Sequence, residues 1–595
     1  MQLNEEDMGV EESAQAPRDL SALAAIASAA FLAACGGGGG GTSTSAATNA
    51  AATPAASDEE AARFLLQAQF SASDAEIATL RSTSYAAWLN TQFAAHQGPT
   101  GWDWLEARGY GVVDANNYFF STYPADFMVW NQLMTAPDAM RKRVALALSE
   151  IFVASLASAD FDWRSHGYAA YWDGLVKNAF GNFRQLLEDV TLNPAMGYFL
   201  NTKGNQKENT ASGRLPDENY AREVMQLFTI GLYQLNLDGS EKRDGSGNKI
   251  ESYTQSDVSN LARVFTGYDF DTTTGPRLAV PGQTYTINPK DSARLPMALN
   301  ASRHSTLAAT FLGTMVAANT PGAVALKTAL DALFNHPNTA PFFCKQLIQR
   351  LVTSNPSPAY VARVASVFVN NGAGVRGDLP SVLAALLLDD EARSPAGLSN
   401  INFGKLREPM VRLVQWGRSF GIASAAGTWK LFDTSRSDTQ LGQSPLRSPS
   451  VFNFFRPGYV PPGTVLASSQ TPAPEFQLVN ESTVGGYLNF MQDVIRNGFN
   501  IGTPAVPESS FTVFARDVTC SYSAELALVL DPAALVKRLS LRLCAGQLSV
   551  ANQSLIATAL ATPSLSAAST AAQKLDRVAA AVLLVMASAD YLVQK

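Results

Sequence analysis

Residues 138–156, DAMRKRVALALSEIFVASL, decide the fold class of the chain. Met140, Val144, Leu148 and Ile151 recur in this stretch at intervals of three or four residues. Because an α-helix repeats every ~3.6 residues, this spacing places the apolar side chains on one stripe of a helix. The stretch therefore predicts an amphipathic helix that packs one face against a core.

The same periodicity continues along most of the chain. Helical patterns begin at residue 73 and also cover residues 59–70, 172–192, 218–232, 255–265, 321–334, 340–353, 358–370, 379–388, 405–420, 534–543 and 571–592. Strand patterns are sparse, and the best one predicts a β-hairpin between residues 278–280 and 284–287. Stretches rich in Pro, Gly and Ser predict long loops at residues 98–123, 239–252, 433–474 and 502–510.

These patterns predict a mainly α protein with one large multi-helix domain over residues 59–595. We expect long ordered loops and at most a small β-hairpin arm. An alternative organisation has two lobes, with a break near residues 421–480 where the loop-rich sequence is longest.

The charge balance of the chain excludes one class of partner. The 595 residues contain Lys+Arg 44 and Asp+Glu 51, which gives a net charge of −7. General nucleic-acid binders present a basic stripe to phosphate groups, so nucleic acid is not a predicted partner. Hydrophobic residues make up 46% of the chain, which argues for a folded core rather than disorder.

The N-terminus has the pattern of an exported bacterial lipoprotein. The apolar run LSALAAIASAAFLAA at residues 20–34 precedes Cys35. Its length suits a signal-peptide core and falls short of the ~20 residues that a membrane-spanning helix needs. Small residues before a cysteine resemble a lipobox, which implies cleavage before Cys35 and a diacylglycerol on its thiol. Residues 36–58, rich in Gly, Ser, Thr and Ala, predict a flexible tether.

One feature of this region departs from the lipoprotein pattern. Arg18 is the only basic residue among the first twenty, which contain six acidic residues; a start site assigned too far upstream would explain this. An ordinary secretory peptide with a chance cysteine is the alternative interpretation. Gly36 follows Cys35 and gives no Asp retention signal, which favours an outer-membrane or periplasmic location in a Gram-negative source. The sequence thus predicts an exported, lipid-anchored protein of the cell envelope.

The remaining cysteines leave two interpretations open. With Cys35 acylated, Cys344, Cys520 and Cys544 remain. In an oxidising compartment Cys520 and Cys544 are the candidate disulfide; three unpaired buried thiols are the alternative. No Cys/His spacing suits a metal ion, so neither a metal nor another cofactor is predicted.

Six blocks of sequence stand out from the rest. They are LPDENYAREVMQLFTIGLYQLN at 215–236, YTQSDVSNLARVFTGY at 253–268, RKRVALALSEIFV at 141–153, FNHPNTAPFFCKQLIQRLV at 334–352, KLREP at 405–409 and SPSVFNFF at 448–455. Together these blocks resemble the large bacterial "domain of unknown function 1800" family. The resemblance covers the chain from about residue 61 to the C-terminus, and DENYARE is its most specific part.

The resemblance implies a class of location and a kind of partner, but no reaction. Members of the family look exported, and their genes often stand beside those of another unknown-function family, number 1501, related to sulfatases and alkaline phosphatases. An exported partner of the sulfatase or phosphatase type is therefore implied. This chain departs from the family pattern after His304, where Ser305 and Ala309 replace an Asp and a Lys. A chemical role for that loop is thereby put in doubt.

The DENYARE helix supplies the first candidate chemistry. Glu218 and Arg222 stand four residues apart, in the order that favours an ion pair, and Asn219 and Glu223 line the adjacent flank. A catalytic interpretation makes Glu223 a general acid or base held by Arg222, with Asn219 orienting a substrate, and Glu218 as a further carboxylate. The alternative, which we favour, is a structural network that joins this helix to its neighbours.

Three further residues have an acid–base and a structural interpretation. Asp257 lies in the first turn of a helix capped by Thr254 or Ser256, where capping is the favoured role. His336 precedes a proline at the entrance of the next helix, which Asn338 or Thr339 would cap, and it either acts as a base or bonds a nearby carbonyl. His304 is the remaining histidine of this candidate set.

Aromatic residues concentrate in the loop at 448–459, SPSVFNFFRPGY. Phe452, Phe454, Phe455 and Tyr459 would form a stacking platform for sugar rings if exposed, and would anchor the loop if buried. No G-x-S-x-G, P-loop, Rossmann fingerprint or HExxH motif occurs.

Two functional hypotheses follow from these observations. The first is an interaction or accessory module for another exported protein, held at the membrane by its lipid. The second is a hydrolase or lyase that acts on envelope or extracellular glycans through carboxylate and histidine acid–base chemistry, with the aromatic loop binding substrate.

Overall fold

The computed structural model of the chain describes residues 51–114, 116–500 and 516–595. Cys35, the signal-peptide pattern and most of the tether lie outside these residues. The chain is 51% helical and 7% strand, so the prediction of a mainly α protein is confirmed. No helix in the described part of the chain is long and apolar enough to span a bilayer.

Helices fill the first half of the described chain. Their bounds are α1 (Asp58–Ala68), α2 (Asp74–Ser82), α3 (Tyr85–Ala94), α4 (Gly101–Glu106), α5 (Tyr123–Thr135), α6 (Ala139–Ser149), α7 (Arg164–Asn178), α8 (Phe183–Thr191), α9 (Pro194–Phe199), α10 (Asn219–Glu223) and α11 (Gln255–Val264). Short polar side chains set several starts. Ser73 and Glu76 form a reciprocal capping box at the start of α2, for example, and satisfy two otherwise unpaired N–H groups.

The second half continues in the same way. Its helices are α12 (Gly322–Asn335), α13 (Thr339–Leu351), α14 (Pro358–Val369), α15 (Leu379–Leu388), α16 (Asp390–Arg393), α17 (Ala396–Ser399), α18 (Pro409–Ser419), α19 (Val465–Ser468), α20 (Glu481–Asn497), α21 (Ser523–Ala527), α22 (Pro532–Cys544), α23 (Val550–Leu560), α24 (Ala571–Met586) and α25 (Ala589–Leu592). The irregular stretch between α18 and α20 agrees with the loop predicted at 433–474.

Helix α6 differs from its prediction in extent and in environment. It ends at Ser149, short of the predicted residue 156. It is also buried on nearly all sides, including the charged residues Lys142 and Arg143. Lys142 Nζ lies 3.4 Å from an Asp138 carboxylate oxygen, and Arg143 donates to the carbonyl of Arg350, so both charges are buried with partners.

Three predicted helices are interrupted. Residues 172–192 divide between α7 and α8, because Asn182 adopts an extended conformation and caps α8. After α10, residues Val224–Thr229 form a π-helical turn instead of continuing the α-helix. Residues 405–420 begin as a strand, and α18 starts only at Pro409, since a residue before proline favours extended backbone.

The strands are short and pair antiparallel. They are β1 (Tyr268–Asp269) with β4 (Ala298–Leu299), β2 (Leu278–Ala279) with β3 (Thr286–Ile287), β5 (Ala309–Phe311) with β6 (Thr314–Val316), β7 (Lys405–Leu406) with β11 (Val593–Gln594), and β10 (Arg516–Thr519) between β8 (Ala423–Ser424) and β9 (Phe499–Asn500). Leu278 opposes Ile287, which confirms the predicted hairpin.

One continuous hydrophobic core contains buried residues from Ala55 to Tyr591. Phe127, Leu441 and Met491 belong to it, and they lie before, within and after the stretch at 421–480. The C-terminal strand β11 also returns to pair with β7 in the middle of the chain. The core therefore joins segments that are far apart in sequence.

Candidate functional site

A pocket of about 810 Å³ opens beside helix α13. Its walls include the end of the α6 segment, the π-helical turn and the residues that follow it, the loop at 239–241, one face of α13, the aromatic loop and Pro472. Much of the wall is apolar, and the side chains that line it include Ile151, Leu227, Leu232, Tyr233, Leu235, Phe342, Val451, Phe452 and Pro457. A largely apolar pocket with a few polar groups is the usual form of a ligand site.

The wall after the π-helix is held in place by Asn338. Its Nδ2 donates to the carbonyls of Ile230 and Tyr233, each at 2.8 Å, and its Oδ1 accepts from the N–H of Leu235 at 2.9 Å. Gly231 allows the backbone to adopt the conformation of this wall. Its φ is +71°, and a Cβ on residue 231 would lie 2.6 Å from the ring of Phe342, so a larger residue would not fit. Asn338, predicted as a candidate binding residue and helix cap, thus fixes the wall from below.

Charged side chains are buried beneath the pocket. This floor cluster consists of Arg143, Glu150, Arg350, Lys405, Glu408 and Glu475. Arg350 Nη1 lies 3.3 Å from Glu150 Oε2, and both side chains are nearly inaccessible, at 4% and 3% exposed. Lys405 Nζ lies 3.0 Å from Glu475 Oε1 and 3.5 Å from Glu408 Oε1. Carboxyl groups therefore face cations throughout the cluster, as buried charges require.

Hydrogen bonds to the backbone and to a glutamine fix the floor cluster. Lys405 Nζ and Arg143 Nη2 both donate to the carbonyl of Arg350, at 2.8 and 2.6 Å. Gln443 Nε2 donates to Glu408 Oε2 at 2.8 Å. These contacts join the end of α13, helix α6 and the β7–α18 segment at one point.

Glu150 and Glu408 form a carboxyl pair in which one member holds a proton. Burial raises the pKa of Glu150 well above its usual range, and Glu408 adds to the rise while Arg350 opposes it. Burial also disfavours ionised Glu408, but Lys405 and Glu150 lower its pKa overall. Glu150 is therefore the protonated member of the pair, and Glu408 is the ionised one.

The aromatic loop contains both an exposed ring, as a stacking platform requires, and a buried ring, as a loop anchor requires. Phe452 is 36% exposed and lines the pocket, with the guanidinium of Arg456 4.8 Å above its ring. Phe455 is buried, and the guanidinium of Arg350 lies 4.4 Å from its ring centre. Phe454 and Tyr459, in the same loop, are half-buried. Phe452 thus faces the pocket, whereas Phe455 anchors the loop over the floor cluster.

The carboxylates of the DENYARE helix lie outside the pocket lining. The predicted ion pair forms, with Arg222 3.3 Å from Glu218, and Arg222 also donates to Gln255. Glu218 further accepts from Gln255 Nε2 and Ser259 Oγ, so it joins α10 to α11. This is the structural network that we favoured for the segment.

Glu223 and Asn219 complete that helix. Glu223 is buried, and burial raises its pKa while Arg222 lowers it. Its Oε2 has no hydrogen-bond partner in the described part of the chain. The guanidinium of Arg222 pairs with Glu218, and no ion pair joins Arg222 to Glu223 among the described residues, so Arg222 does not hold Glu223 as the catalytic interpretation required. Asn219 is half-buried and its N–H donates to Asp217.

Asp257 and His304 have structural partners. Asp257 forms a capping box with Thr254 and accepts from the N–H of Leu312 at 2.8 Å. Burial would raise the pKa of Asp257, but these hydrogen bonds lower it overall. His304 is buried and its Nδ1 lies 2.8 Å from the carbonyl of Thr266.

His336 ends helix α12 and is half-buried. Its Nδ1 accepts from the N–H of Asn338 at 3.1 Å. Burial lowers the pKa of His336, and the nearby Lys242 and Arg376 lower it further, so the ring is neutral near pH 7. Four of the five predicted acid–base residues are thus bound to local partners, Glu223 is buried without a hydrogen-bond partner for its Oε2 among the described residues, and none of the five lines the pocket.

The cysteines follow the second of the two interpretations. Cys344, Cys520 and Cys544 are free thiols, so the candidate disulfide between Cys520 and Cys544 does not form. The two thiols occupy different surroundings. Cys520 hydrogen-bonds with Tyr522, whereas Cys544 lies near Arg407 and Asp590.

The floor cluster was not among the predicted site residues, although the sequence contains a signal for it. Glu150 interrupts an otherwise apolar run, LALSEIFV, and KLREP places charges directly before a buried helix. Charged residues inside buried segments need partners, and here they find one another. Blocks 141–153, 334–352 and 405–409 supply Glu150, Arg350 and Lys405, so the segments that carried the family resemblance converge beneath the pocket.

Comparison with known proteins agrees with that resemblance. A family model described as "Protein of unknown function (DUF1800)" matches residues 63–593. No curated protein and no solved structure matches the chain. Since the match spans nearly all of the folded part, the chain belongs to the DUF1800 family of proteins of unknown function.

Proposed function

We propose that this protein is an exported, lipid-anchored interaction module of the cell envelope. It binds a ligand in its pocket and acts as an accessory to another exported protein. The pocket of about 810 Å³ carries the proposal, because it gives the chain a concave surface of ligand-binding size. The lipid on Cys35 would hold this surface near the membrane, and a sulfatase- or phosphatase-like exported protein is the proposed partner.

Binding fits this pocket better than turnover. The five predicted acid–base residues lie outside its lining; Glu223 is buried, and the other four are engaged by helix caps, backbone groups or neighbouring side chains. The floor charges lie beside one another and expose only a few per cent of their surface. The accessible surface is therefore largely aromatic, aliphatic and amide, with Lys345, Arg456 and Glu241 as its charged groups, which suits recognition of a ligand.

Gly458 provides a direct test of the pocket. It lines the pocket, and a Cβ built there would meet no atom within 4 Å, so Gly458→Trp would fill the opening without disturbing the core. Gly485→Trp is the matched control, since it also has free space but lies on α20, outside the pocket lining. Thermal-shift screening against fragments of envelope glycans should give stabilisation that G458W abolishes and G485W retains. If G458W and G485W both kept the stabilisation, or both lost it, the pocket would not be the ligand site.

The partner and the anchor need separate experiments. Affinity purification from detergent-solubilised membranes should recover an exported sulfatase- or phosphatase-like protein, identified by mass spectrometry. Cys35→Ala should move the protein from the membrane fraction to the soluble fraction, whereas Cys520→Ala should leave it in the membrane fraction. Retention of the Cys35→Ala variant in the membrane would contradict the lipid anchor.

One observation favours a second function, a hydrolase or lyase acting on glycans. Glu150 lines the pocket, its pKa is raised by burial and by Glu408, and it therefore has the protonation state of a general acid. In this version Glu150 replaces the predicted acid–base residues, and the aromatic loop binds the sugar. The wild type should then turn over an envelope glycan, and Glu150→Gln should abolish this turnover while the glycan still binds. That result would favour the enzymatic function over the binding function.

A further inference from the structure

Two cations on the pocket wall lack an ion-pair partner. Lys345 is half-buried on α13, with its stem 3.5 Å from the position of a Cβ on Gly239. Arg456 is exposed and lies over the ring of Phe452. In the described part of the chain, no carboxylate oxygen lies within 4 Å of either charged group. Both cations are therefore available to a ligand.

The carboxylates nearest Lys345 are bound elsewhere. Glu241 also lines the pocket, but its carboxylate lies 2.9 Å from the ammonium of Lys249, and Asp238 accepts from the N–H and the hydroxyl of Ser240. Burial lowers the pKa of Lys345, while Glu241 and Asp238 act in the opposite direction from a distance. A ligand anion beside Lys345 would supply the direct partner that the protein does not.

The floor adds to the positive character of the pocket. Glu150 holds a proton, because burial and Glu408 raise its pKa. It therefore contributes little negative charge against Arg350, which also lines the pocket. A positive potential at the bottom of a low-dielectric cleft attracts anions more strongly than the same charge on an open surface.

The rest of the lining suits a sugar more than a flexible peptide. Phe452 and Tyr233 present aromatic surface, which stacks on the apolar faces of sugar rings. Gln226 lines the pocket, and its Oε1 accepts from Tyr253, which leaves its amide nitrogen to donate. Gln346 is 7% exposed and its Nε2 has no hydrogen-bond partner among the described residues. Buried amides without partners gain from ligand hydroxyl groups.

We propose that the pocket binds an acidic glycan, an oligosaccharide bearing carboxylate or sulfate groups, with Lys345 and Arg456 at the anion and Phe452 against a sugar ring. This inference rests on the proposed function of the pocket as a ligand site, and it adds the chemical class of the ligand. Carboxylate and sulfate share the same recognition, namely charge-assisted hydrogen bonds from an ammonium and a guanidinium.

The test is titration calorimetry of the full-length protein with short oligosaccharides. The probes are an oligogalacturonate, a sulfated oligosaccharide, a neutral malto-oligosaccharide of the same length, and an oligoglutamate peptide. We expect at least one acidic oligosaccharide to bind more tightly than the other two probes, with an affinity that falls as salt rises. Lys345→Gln and Arg456→Gln should each weaken that binding about tenfold, in the range of a lost charge-assisted contact.

Lys537→Gln is the matched control, because Lys537 is exposed on α22 and does not line the pocket. It should bind like the wild type. The preferred acidic probe identifies the anion as carboxylate or sulfate. Equal binding of the neutral sugar would overturn the anionic class, equal binding of oligoglutamate would overturn the glycan class, and no binding of either acidic sugar would overturn both.

Gly458→Trp separates this inference from the proposed function. If a neutral sugar binds and G458W blocks it, the pocket is a ligand site and only the acidic class fails. If an acidic sugar binds and G458W leaves its affinity unchanged, the pocket itself is wrong. Loss of acidic-sugar binding in G458W, K345Q and R456Q, but not in K537Q, is the result that supports both.

Discussion

Arg350 Nη1 lies 3.3 Å from Glu150 Oε2 in the buried floor of the pocket, although the two residues are 200 apart in sequence. Lys405 Nζ lies 3.5 Å from Glu408 Oε1 in the same cluster. Burial and Glu408 raise the pKa of Glu150, whereas Lys405 lowers the pKa of Glu408 against the effect of its own burial, so Glu150 holds a proton and Glu408 is ionised.

Glu150→Gln should leave the folded protein nearly as stable as the wild type at about pH 4, where Glu150 is protonated in the unfolded chain as well. Glu150 is already neutral in the folded protein, and an amide of similar shape adds no charge in its place. We expect a change within about 1 kcal/mol in the free energy of unfolding, measured by denaturant titration. A loss of several kcal/mol would mean that Glu150 is ionised in the folded protein.

The pH dependence of Glu150→Gln gives an independent check. A carboxyl group whose pKa is raised by folding keeps a proton that the unfolded chain releases, so stability falls as pH rises above the ordinary carboxyl range. The slope reaches about 1.4 kcal/mol per pH unit for one proton. E150Q lacks this slope, so its free energy of unfolding should rise relative to that of the wild type between roughly pH 5 and pH 8. A constant difference across that range would contradict the assignment.

Glu408→Gln should behave in the opposite way. Glu408 is the ionised member, held by Lys405 and by Gln443. Removing its charge leaves Lys405 with one partner fewer in a buried site, at a cost of about 3–5 kcal/mol near neutral pH. Its lowered pKa means that its contribution is present at neutral pH and is lost as pH falls, so the difference from the wild type should shrink in acid. Equal stability of E408Q and E150Q at neutral pH would refute the assignment of roles.

Local features of the fold were predictable from the sequence. Helix α15 spans Leu379–Leu388, as its apolar run and the proline in its first turn indicated. Thr254 caps α11 with Asp257 as its partner, as the polar residues before that helix indicated. These features depend on neighbours within a few residues, which periodicity and capping chemistry describe directly.

Other helices were missed for identifiable reasons. Helix α5 is buried on nearly all faces and so shows no polar stripe, and its N-terminal Thr122 makes no capping hydrogen bond. Helix α20 contains the pair Gly485–Gly486, which usually disfavours a helix. A Cβ on Gly486 would lie 2.5 Å from the carbonyl of Ser437, so close packing explains at least that glycine.

The floor cluster could not be derived from local pattern. Arg350 and Glu150 are 200 residues apart, and only the tertiary packing of α13 against α6 brings them together. The sequence shows that each charge lies in a buried segment and needs a partner, but periodicity does not say which partner. Glu218 and Glu223 came from one dense block, whereas the pocket draws its charges from several segments.

The cysteines give a prediction that needs no variant. Cys344, Cys520 and Cys544 are free, and burial raises the pKa of each thiol, so each is slow to react in the native state. Alkylation under non-reducing conditions should label all three after denaturation, and native labelling should be much slower. Mass spectrometry of the peptides distinguishes this from a Cys520–Cys544 disulfide, which would leave both unlabelled until reduction.

Asn338→Ala should weaken both the fold and the pocket. The side chain makes hydrogen bonds to Ile230, Tyr233 and Leu235, and its loss leaves these buried backbone groups without that partner. We expect about 2–3 kcal/mol less stability, measured by denaturant unfolding. Asn335→Ala is the matched control, since Asn335 is exposed and bonds only a carbonyl of its own helix; it should cost less than about 0.5 kcal/mol.

The same variant tests whether the wall matters for the ligand. Residues 231–235 contribute Gly231, Leu232, Tyr233 and Leu235 to the pocket, and Asn338 fixes them without lining it. A loosened wall must be ordered again when a ligand binds, so N338A should bind any pocket ligand more weakly under conditions where it is fully folded. Calorimetry on N338A and N335A compares the two directly. Because N335A leaves the wall intact, unchanged affinity in N338A would show that the pocket is shaped by Gly231 and the π-helical turn alone.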